Sequence, residues 1–458
     1  MSLSLKLARR ALNITYDQLP ADVIHQVKRV LLDTIACALA AFSRTQCKLV
    51  KELILSLGGT AESTIIGSNI KTSCINATLV NSVMVRYLDF NDMLLFLLED
   101  GRFTGAHASD SISPILAVAE RQHCTGAEFI VAVVSSYEVM GRLASGARAA
   151  PEQRGWHSSM AFTPYGVAVG SGKILGLDEE RITNAMGIAG AYSQTLSIAD
   201  HPKEQMTMLK GIAPALIAQN GLLLALLAER GHTGPHRILE GASGFIQVVL
   251  DGRFDSTALT SEDGKYIINQ TILKPFVADG STQGHLFATV DLVRRYSIKP
   301  EDVMNIEITA GQRCVEHTGG HSRRRPMSKE EADHSSYYLT AIAIKDGEVG
   351  PEQHTLSKIQ DPLVHQLIDK VTLKADNRFF HQAGQSRITT NSGKTYLQKI
   401  EYPKGHFKNP MSDPEIEVKF RRCAQNILSE HKQNLVVDAV WSLENMLDIS
   451  KLTNLLTN

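Results

Sequence analysis

The sequence contains no uninterrupted apolar run of the ~18 residues needed to cross a bilayer. Its longest candidate, "GLLLALLAERG", stops at Glu229 and Arg230. It also lacks any C-x-x-C pair: Cys37, Cys47, Cys74, Cys124, Cys314 and Cys423 are scattered over 458 residues. That scatter argues against a zinc or iron–sulfur site built from local cysteine pairs, and against a disulfide framework. Buried or idle thiols are expected. An excess of either charge is missing too, with 47 basic and 48 acidic residues giving a net charge of −1. No global field therefore favours nucleic acid or a membrane surface, and anion binding must come from a local cluster. There is no internal repeat and no low-complexity segment. The N-terminal "MSLSLKLARRALNITYDQLP" is basic and amphipathic enough for a mitochondrial transit peptide. Asp17 and the helix-start signal "LPAD" follow at once, which favours the first turns of a folded domain and a cytoplasmic protein.

What is present suits a globular chain: 43% apolar and 21% charged residues, with enough length for two domains. Helical spacing runs through "ADVIHQVKRVLLDTIACALAAF", "GAEFIVAVVSSYEVMGRLASGARAA", "GLDEERITNAMGIAGAYSQTL" and "APALIAQNGLLLALLAERGHTGP". Repeated Ala and Gly on these segments suggest closely approaching helix axes. Near residue 265 the character changes. "KYIINQTILKPF" and "MNIEITAG" read as strands, and "SRITTNSGKTYLQKIEY" as a hairpin about Asn391-Ser392-Gly393. "SKEEADHSSYYLTAIAIKDG" reads as a helix with Ser328 and Glu331 in capping-box spacing. The tail returns to helix. The expected fold class is mainly α: a large helical domain formed by residues 1–268 together with 399–458, and an inserted α+β lid domain over 269–398.

Polar residues set in apolar surroundings need explaining, because burial costs free energy unless they are paired or used. "RYLDFNDM" offers Asp89 and Asp92, whose spacing alone fits a helix C-terminus. "TGAHASDSISPILAVAE" puts His107 before an apolar helix with Ser109 or Asp110 as a possible N-cap. At a helix start the dipole depresses an imidazole pKa and favours anions. "GWHSSMAF" offers His157 beside Ser158 and Ser159. Lys210 begins an apolar helix and either snorkels outward or enters a site. Lys274 lies at the proposed domain boundary, and "ADHSSYY" carries His334, Tyr337 and Tyr338. Two histidines, two lysines and a tyrosine suit a substrate with several carboxylates, the lysines holding the anions and the histidines or tyrosine moving protons. Spacing alone does not bring them together. Three consecutive arginines, Arg323 to Arg325, cannot all face one pocket and read as a solvated loop.

"RYLDFND", "HASD", "GWHSSMAFTPYGVAVGSGKILGLD", "MLKGIAPALIAQNGLLLALLAERGHTGPHRILEGASGF", "ILKPF", "EEADHSSYYLTAIAIKDG" and "YPKGHFKNPMSD" occur in that order. In this the sequence resembles the MmgE/PrpD family of 2-methylcitrate dehydratases, cis-aconitate decarboxylase and related enzymes. The resemblance implies a helical domain with a smaller lid, a site between them, a homodimer, and chemistry on di- and tricarboxylates that uses no cofactor and no metal. By motif it places the active-site positions on Asp89, His107, His157, Lys210, Lys274 and Tyr338. Met93 stands where the family often has threonine, and Gly280 and Ser281 replace an aromatic residue and a histidine. The segment between Asp89 and His107 is longer than in the decarboxylase pattern, and "LLFLLEDGRFTGA" opens unusually apolar. Met93 and Ser281 are thereby candidate substrate contacts, with room for an apolar substituent.

The expected reaction is dehydration of a citrate-type tricarboxylate such as 2-methylcitrate or an alkylcitrate. His157 would be the base and His107 a second acid/base or carboxylate contact. Lys210 and Lys274 would stabilise the carbanion-like transition state. Tyr338 would protonate the leaving group and Asp89 would orient a histidine. Rivals are decarboxylation of cis-aconitate, epimerisation or isomerisation of a dicarboxylate, and a non-catalytic paralogue. A metal-dependent hydrolase is a poorer rival, because "GWHSS" has no second histidine at ligand spacing.

Overall fold

The computed structural model describes residues 1–261 and 264–458. It is mainly helical with small sheets. The amphipathic start folds as the helix Leu3–Asn13, with Ser2 as N-cap and Leu7, Ala8 and Ala11 buried. The expected helices form at Ala21–Ala41, Gly126–Gly146, Glu179–Tyr192 and Leu209–Glu229. Their small residues do what their abundance suggested. A Cβ on Gly166 would lie 2.4 Å from Met140, and one on Gly221 would lie 2.6 Å from Val167, so these axes approach only because the side chains are missing. The helix Leu209–Glu229 is long and apolar enough by length and composition to cross a membrane, although no single apolar run in it suffices. It packs against Cys74–Tyr87, Thr163–Ile174 and Glu179–Tyr192 as a core helix.

One apolar core joins residues from Leu7 to Val277 with residues from Met411 to Leu456. A second runs from Ala278 to Ile388. The second packs on a four-stranded sheet, in which Val303–Ala310 pairs parallel with Val371–Ala375 and antiparallel with Gly384–Thr390. Thr395–Ile400 closes the predicted hairpin, with Gly393 at φ +81°. "KYIINQTILKPF" is not a strand. Ile267–Gln270 forms a single 3-10 turn whose Ile267 amide donates to Glu138 Oε1 over 2.6 Å, and only Ile272 bridges, to Met93. Its β-rich composition is spent on core packing: Ile267 fills the space left by Gly141.

Two further departures position the site. The apolar "LLFLLEDGRFTGA", which no pattern resolved, is an antiparallel hairpin of Leu94–Leu97 with Phe103–Ala106. The helix expected over "SKEEADHSSYYLTAIAIKDG" is broken. Ser328 caps a single turn, Lys329–Ala332, and Ser335 caps a second helix, Ser336–Asp346, by accepting from the Tyr338 amide. His334 sits in the break.

Candidate active site

Both cores meet around a cavity of about 240 Å³. Its walls come from the end of the helix Cys74–Tyr87, the 94–106 hairpin, the His107 loop, the turn at 157–159, the 3-10 turn Ser197–Asp200, residues 279–280 and the His334 break. Of the residues expected from sequence, Asp89, Met93, His107 and His157 line it.

Asp89 is the hub. It follows the helix with φ +48°, a left-handed conformation that a non-glycine residue adopts at a cost, and such strain is often retained at functional sites. Its Oδ1 accepts from Lys274 Nζ over 2.8 Å and from Arg86 over 3.3 Å. Its carbonyl accepts from Lys274 over 2.7 Å. Lys210 Nζ lies 3.5 Å from its Oδ2 and 3.3 Å from Asp333 Oδ1. Burial raises the Asp89 pKa, but Lys274, Lys210 and Arg86 outweigh it and hold the carboxyl well below the ordinary range. Neither lysine is part of the cavity wall, but both contact Asp89, which is. Lys210 does not snorkel: it is buried, and its contacts are long. Lys274 is fully buried and tightly bonded.

His107 has its tautomer set by geometry. Nδ1 is 2.6 Å from the Asp92 carbonyl, which only accepts, so Nδ1 carries the hydrogen and the neutral ring presents a lone pair at Nε2. Burial, reinforced by Arg86 and Lys274, drives its pKa well below 6.5. Asp92 is fixed in turn, Oδ1 accepting from the Ser109 amide over 3.0 Å and Oδ2 from the Tyr137 hydroxyl over 2.8 Å. Neither Ser109 nor Asp110 caps the following helix; Asn91 Nδ2 donates to both side chains, over 2.9 and 3.3 Å. The serines of "GWHSS" lie outside any helix. They sit in the turn before Thr163–Ile174, and both line the cavity.

Burial lowers the His157 pKa to about 4, against the opposing pull of Asp200. This has a measurable consequence. The unfolded chain takes up this proton near pH 6.5 and the folded chain only near 4. Above about pH 6.5 the residue adds no pH dependence, and stability is lost as pH falls from 6.5 to 4, by at most about 3 kcal/mol. Denaturant titrations over that window should show a shallower slope for His157→Gln than for the parent protein.

Two expected residues lie elsewhere. Tyr338 is fully buried in the second core, its hydroxyl donating to the Gln353 carbonyl, so it does not reach the cavity. The helix restarts at Ser336, which turns Tyr338 inward and leaves His334, four residues earlier, at the cavity wall. Ser281 is buried with its hydroxyl and amide on Asp279 Oδ1. Gly280 and Asp279 take the wall position instead. The arginine run is solvated only in part: Arg325 is exposed and Arg324 half-buried, while Arg323 is not. Arg323 is 1% exposed and donates to the His201 carbonyl over 3.1 Å, Arg324 lies over the Tyr337 ring, and Arg325 pairs with Asp369. None of the three lines the cavity.

The sequence singles out His334 only as part of "ADHSSYY", and several other lining residues not at all: Arg86, Asp200, Asp279, Arg313, His317 and His381. Arg86 and Arg313 supply the cations at the wall itself, Arg313 over 2.6 Å from Glu152. Met93 and the hairpin that follows it contribute an apolar stretch of wall, with Leu94, Leu95 and Phe103, and His381 is edge-on to Phe103 at 4.5 Å. A Cβ on Gly280 would lie 2.3 Å from Met93 Sδ. The two departures noted in the sequence are therefore one feature: the missing side chain at 280 houses the methionine at 93.

Comparison with known proteins matches residues 5–257 to the MmgE/PrpD N-terminal domain and residues 276–444 to the MmgE/PrpD C-terminal domain. A cis-aconitate decarboxylase-like protein of Aspergillus oryzae is 26% identical over 96% of this chain and 94% of its own length. The 2-methylcitrate dehydratase of Salmonella typhi is 23% identical over 89% and 87%. A fungal alkylcitrate dehydratase is 24% identical over 86% and 82%.

Proposed function

This chain belongs to the MmgE/PrpD family, and on that premise we propose that it is a lyase that dehydrates a citrate-type tricarboxylate to the aconitate-type alkene. The observation that carries the reading is His107: a buried, neutral imidazole with its lone pair at Nε2, in a cavity whose wall also carries Arg86 and Arg313. Elimination of water needs a base for the proton next to a carboxylate and an acid for the departing hydroxyl. His107 is the better base, because its tautomer is fixed. His157 then protonates the hydroxyl, which leaves as water. A bound polyanion raises the pKa of both imidazoles and so helps charge the acid. Lys210, whose two contacts are both long, exchanges Asp89 for a substrate carboxylate and stabilises the charge that develops there. Lys274, locked on Asp89, positions it.

The apolar wall of Met93, Leu94, Leu95 and Phe103 supports a substrate that bears an alkyl group, as in 2-methylcitrate or a longer alkylcitrate. Gly280→Ala should push Met93 into that space. We expect KM for an alkylated substrate to rise about tenfold, the ~1.4 kcal/mol scale of one displaced methyl-sized group. A Gly280→Ala/Met93→Ala double variant should recover most of the loss, and additive effects of the two changes would refute the packing argument.

Decarboxylation of cis-aconitate is the second reading, favoured by the near-complete match to the Aspergillus oryzae relative. The same cations would serve it, since it too builds charge beside a carboxylate. Incubation with citrate, 2-methylcitrate, longer alkylcitrates and cis-aconitate separates the two. New alkene absorbance from a citrate means dehydration, and carbon dioxide from cis-aconitate means decarboxylation. Leu209, Leu216 and Leu223, seven apart on one helix and exposed, support the homodimer.

A further inference from the structure

Two arginines stand on the cavity wall, and they are held differently. Arg86 is buried and donates to Asp89 Oδ1 and to Asn91 Oδ1, each over 3.3 Å. Arg313 stands at the rim, with 36% of its side chain exposed. Among the described residues its one hydrogen-bond acceptor is Glu152, 2.6 Å from Nη2. A guanidinium carries five N–H donors, so most of this fork has no acceptor. Partial burial works against its charge, but Glu152, Asp279 and Asp200 outweigh that and hold the Arg313 pKa above its ordinary value. The cavity therefore has a permanent cation at its edge, with donors to spare.

The pair also joins the two halves of the structure. Glu152 lies on the 3-10 turn Pro151–Arg154, between Ala147 and Trp156, which pack in the first core. Arg313 lies on the short helix Gln312–Thr318, which follows the strand Val303–Ala310 of the second. Two more contacts cross the same rim: Ser322 Oγ donates to the Pro202 carbonyl over 3.4 Å, and Arg323 to the His201 carbonyl over 3.1 Å. His201 and Pro202 line the cavity too. Those two contacts end on backbone carbonyls, which no substrate anion replaces. Glu152 is different, because a substrate carboxylate offers the same charge and the same pair of acceptor oxygens. An ion pair this exposed is worth at most about 1 kcal/mol, so exchanging its anion costs little.

We propose that Arg313 binds a carboxylate of the substrate and that Glu152 is the anion that holds its place in the empty cavity. An entering polycarboxylate takes the guanidinium from Glu152 and, in doing so, undoes an ion pair that ties the two halves together at the rim. Arg313 is thus a specificity residue: it rewards a second carboxylate on the substrate, which Asp200 and Asp279 on the same wall would otherwise repel. The inference rests on the polycarboxylate reading of the cavity, but not on whether the reaction is dehydration or decarboxylation.

The test uses binding alone. The full-length protein is titrated by calorimetry with propane-1,2,3-tricarboxylate, which has neither a hydroxyl to eliminate nor an alkene. Arg313→Met should weaken binding by about tenfold or more. Glu152→Gln should tighten it by about fivefold, the equivalent of ~1 kcal/mol. In the Arg313→Met background Glu152→Gln should change nothing, because Glu152 acts only through Arg313. Glu316, an exposed acid on the same wall that accepts from Gln312 over 2.7 Å, is the control: Glu316→Gln should leave the affinity within about twofold. Without ligand, amides of residues 312–318 should exchange hydrogen faster in Glu152→Gln than in the parent protein, and circular dichroism checks that every variant folds. An equal gain from Glu152→Gln with and without Arg313 would overturn the inference and reduce Glu152 to a repelling charge. Unchanged affinity in a folded Arg313→Met, or no saturable binding by the parent protein, would overturn it as well. The expected binding pattern without turnover of any citrate or of cis-aconitate would refute the proposed reaction and keep Arg313 in its role; turnover with no response to either substitution would do the reverse.

Discussion

Lys210→Met should fold normally and lose turnover by a factor of ~10²–10³, the range for deleting one preorganised group that meets developing charge. The fold should survive because Asp333 keeps Lys329 and His334, and Asp89 keeps Lys274 and Arg86. No carboxylate is left buried without a cation, so the usual penalty for breaking a buried pair is avoided. The loss should fall on kcat more than on KM if the ammonium binds the transition state better than the substrate. Near-parent turnover in a folded Lys210→Met would remove this lysine from the mechanism. The same substitution at Lys274 should act differently, lowering stability together with activity.

Lys419→Met should be the most damaging single change to stability, costing about 3–5 kcal/mol. Lys419 is buried on the helix Asp413–Ala424. Its Nζ donates to Asp33 Oδ1 over 2.6 Å, to the Lys274 carbonyl over 2.9 Å and to the Phe90 carbonyl over 3.1 Å, and it lies 3.6 Å over the Phe90 ring. Removing the cation leaves Asp33 buried without a counter-charge. Burial already pushes the Asp33 pKa up against the pull of Lys419. The variant should therefore take up a proton at Asp33 at higher pH than the parent protein does. Replacing both residues by apolar ones of similar volume should recover much of the stability, because the unpaired charge is then gone. A chemical denaturation series over the two single variants and the double variant measures this directly. A loss below about 1 kcal/mol for Lys419→Met would mean that water reaches Asp33.

The helices were legible because their apolar spacing, small residues and caps all pointed the same way. The hairpin Asn391–Gly393 was legible because its turn needs a residue with positive φ. Tyr338 and His334 mark where such reading fails. Both lie on one helical stretch by composition, and only the Ser335 cap, which restarts the helix, decides that His334 faces the cavity and Tyr338 the core. "KYIINQTILKPF" failed for the opposite reason: β-branched residues serve a helical core as well as a strand. His107, His157, Asp89 and Met93 were found by motif. Asp200, Asp279 and the pair Arg313 and His317 were not, because they come from three separate segments and none of these segments was read as a site. Long-range convergence leaves no local trace.

The seat that Gly280 provides for Met93 also constrains the order in which this wall can be rebuilt by mutation. A larger residue at 280 is blocked while methionine occupies 93, since even a single carbon would lie 2.3 Å from its sulfur. A smaller residue at 93 meets no such obstacle, although it opens a void beside the hairpin. Any stepwise route to a differently shaped pocket must therefore change position 93 first and position 280 second, and the reverse sequence of steps passes through a protein whose own side chain obstructs its substrate.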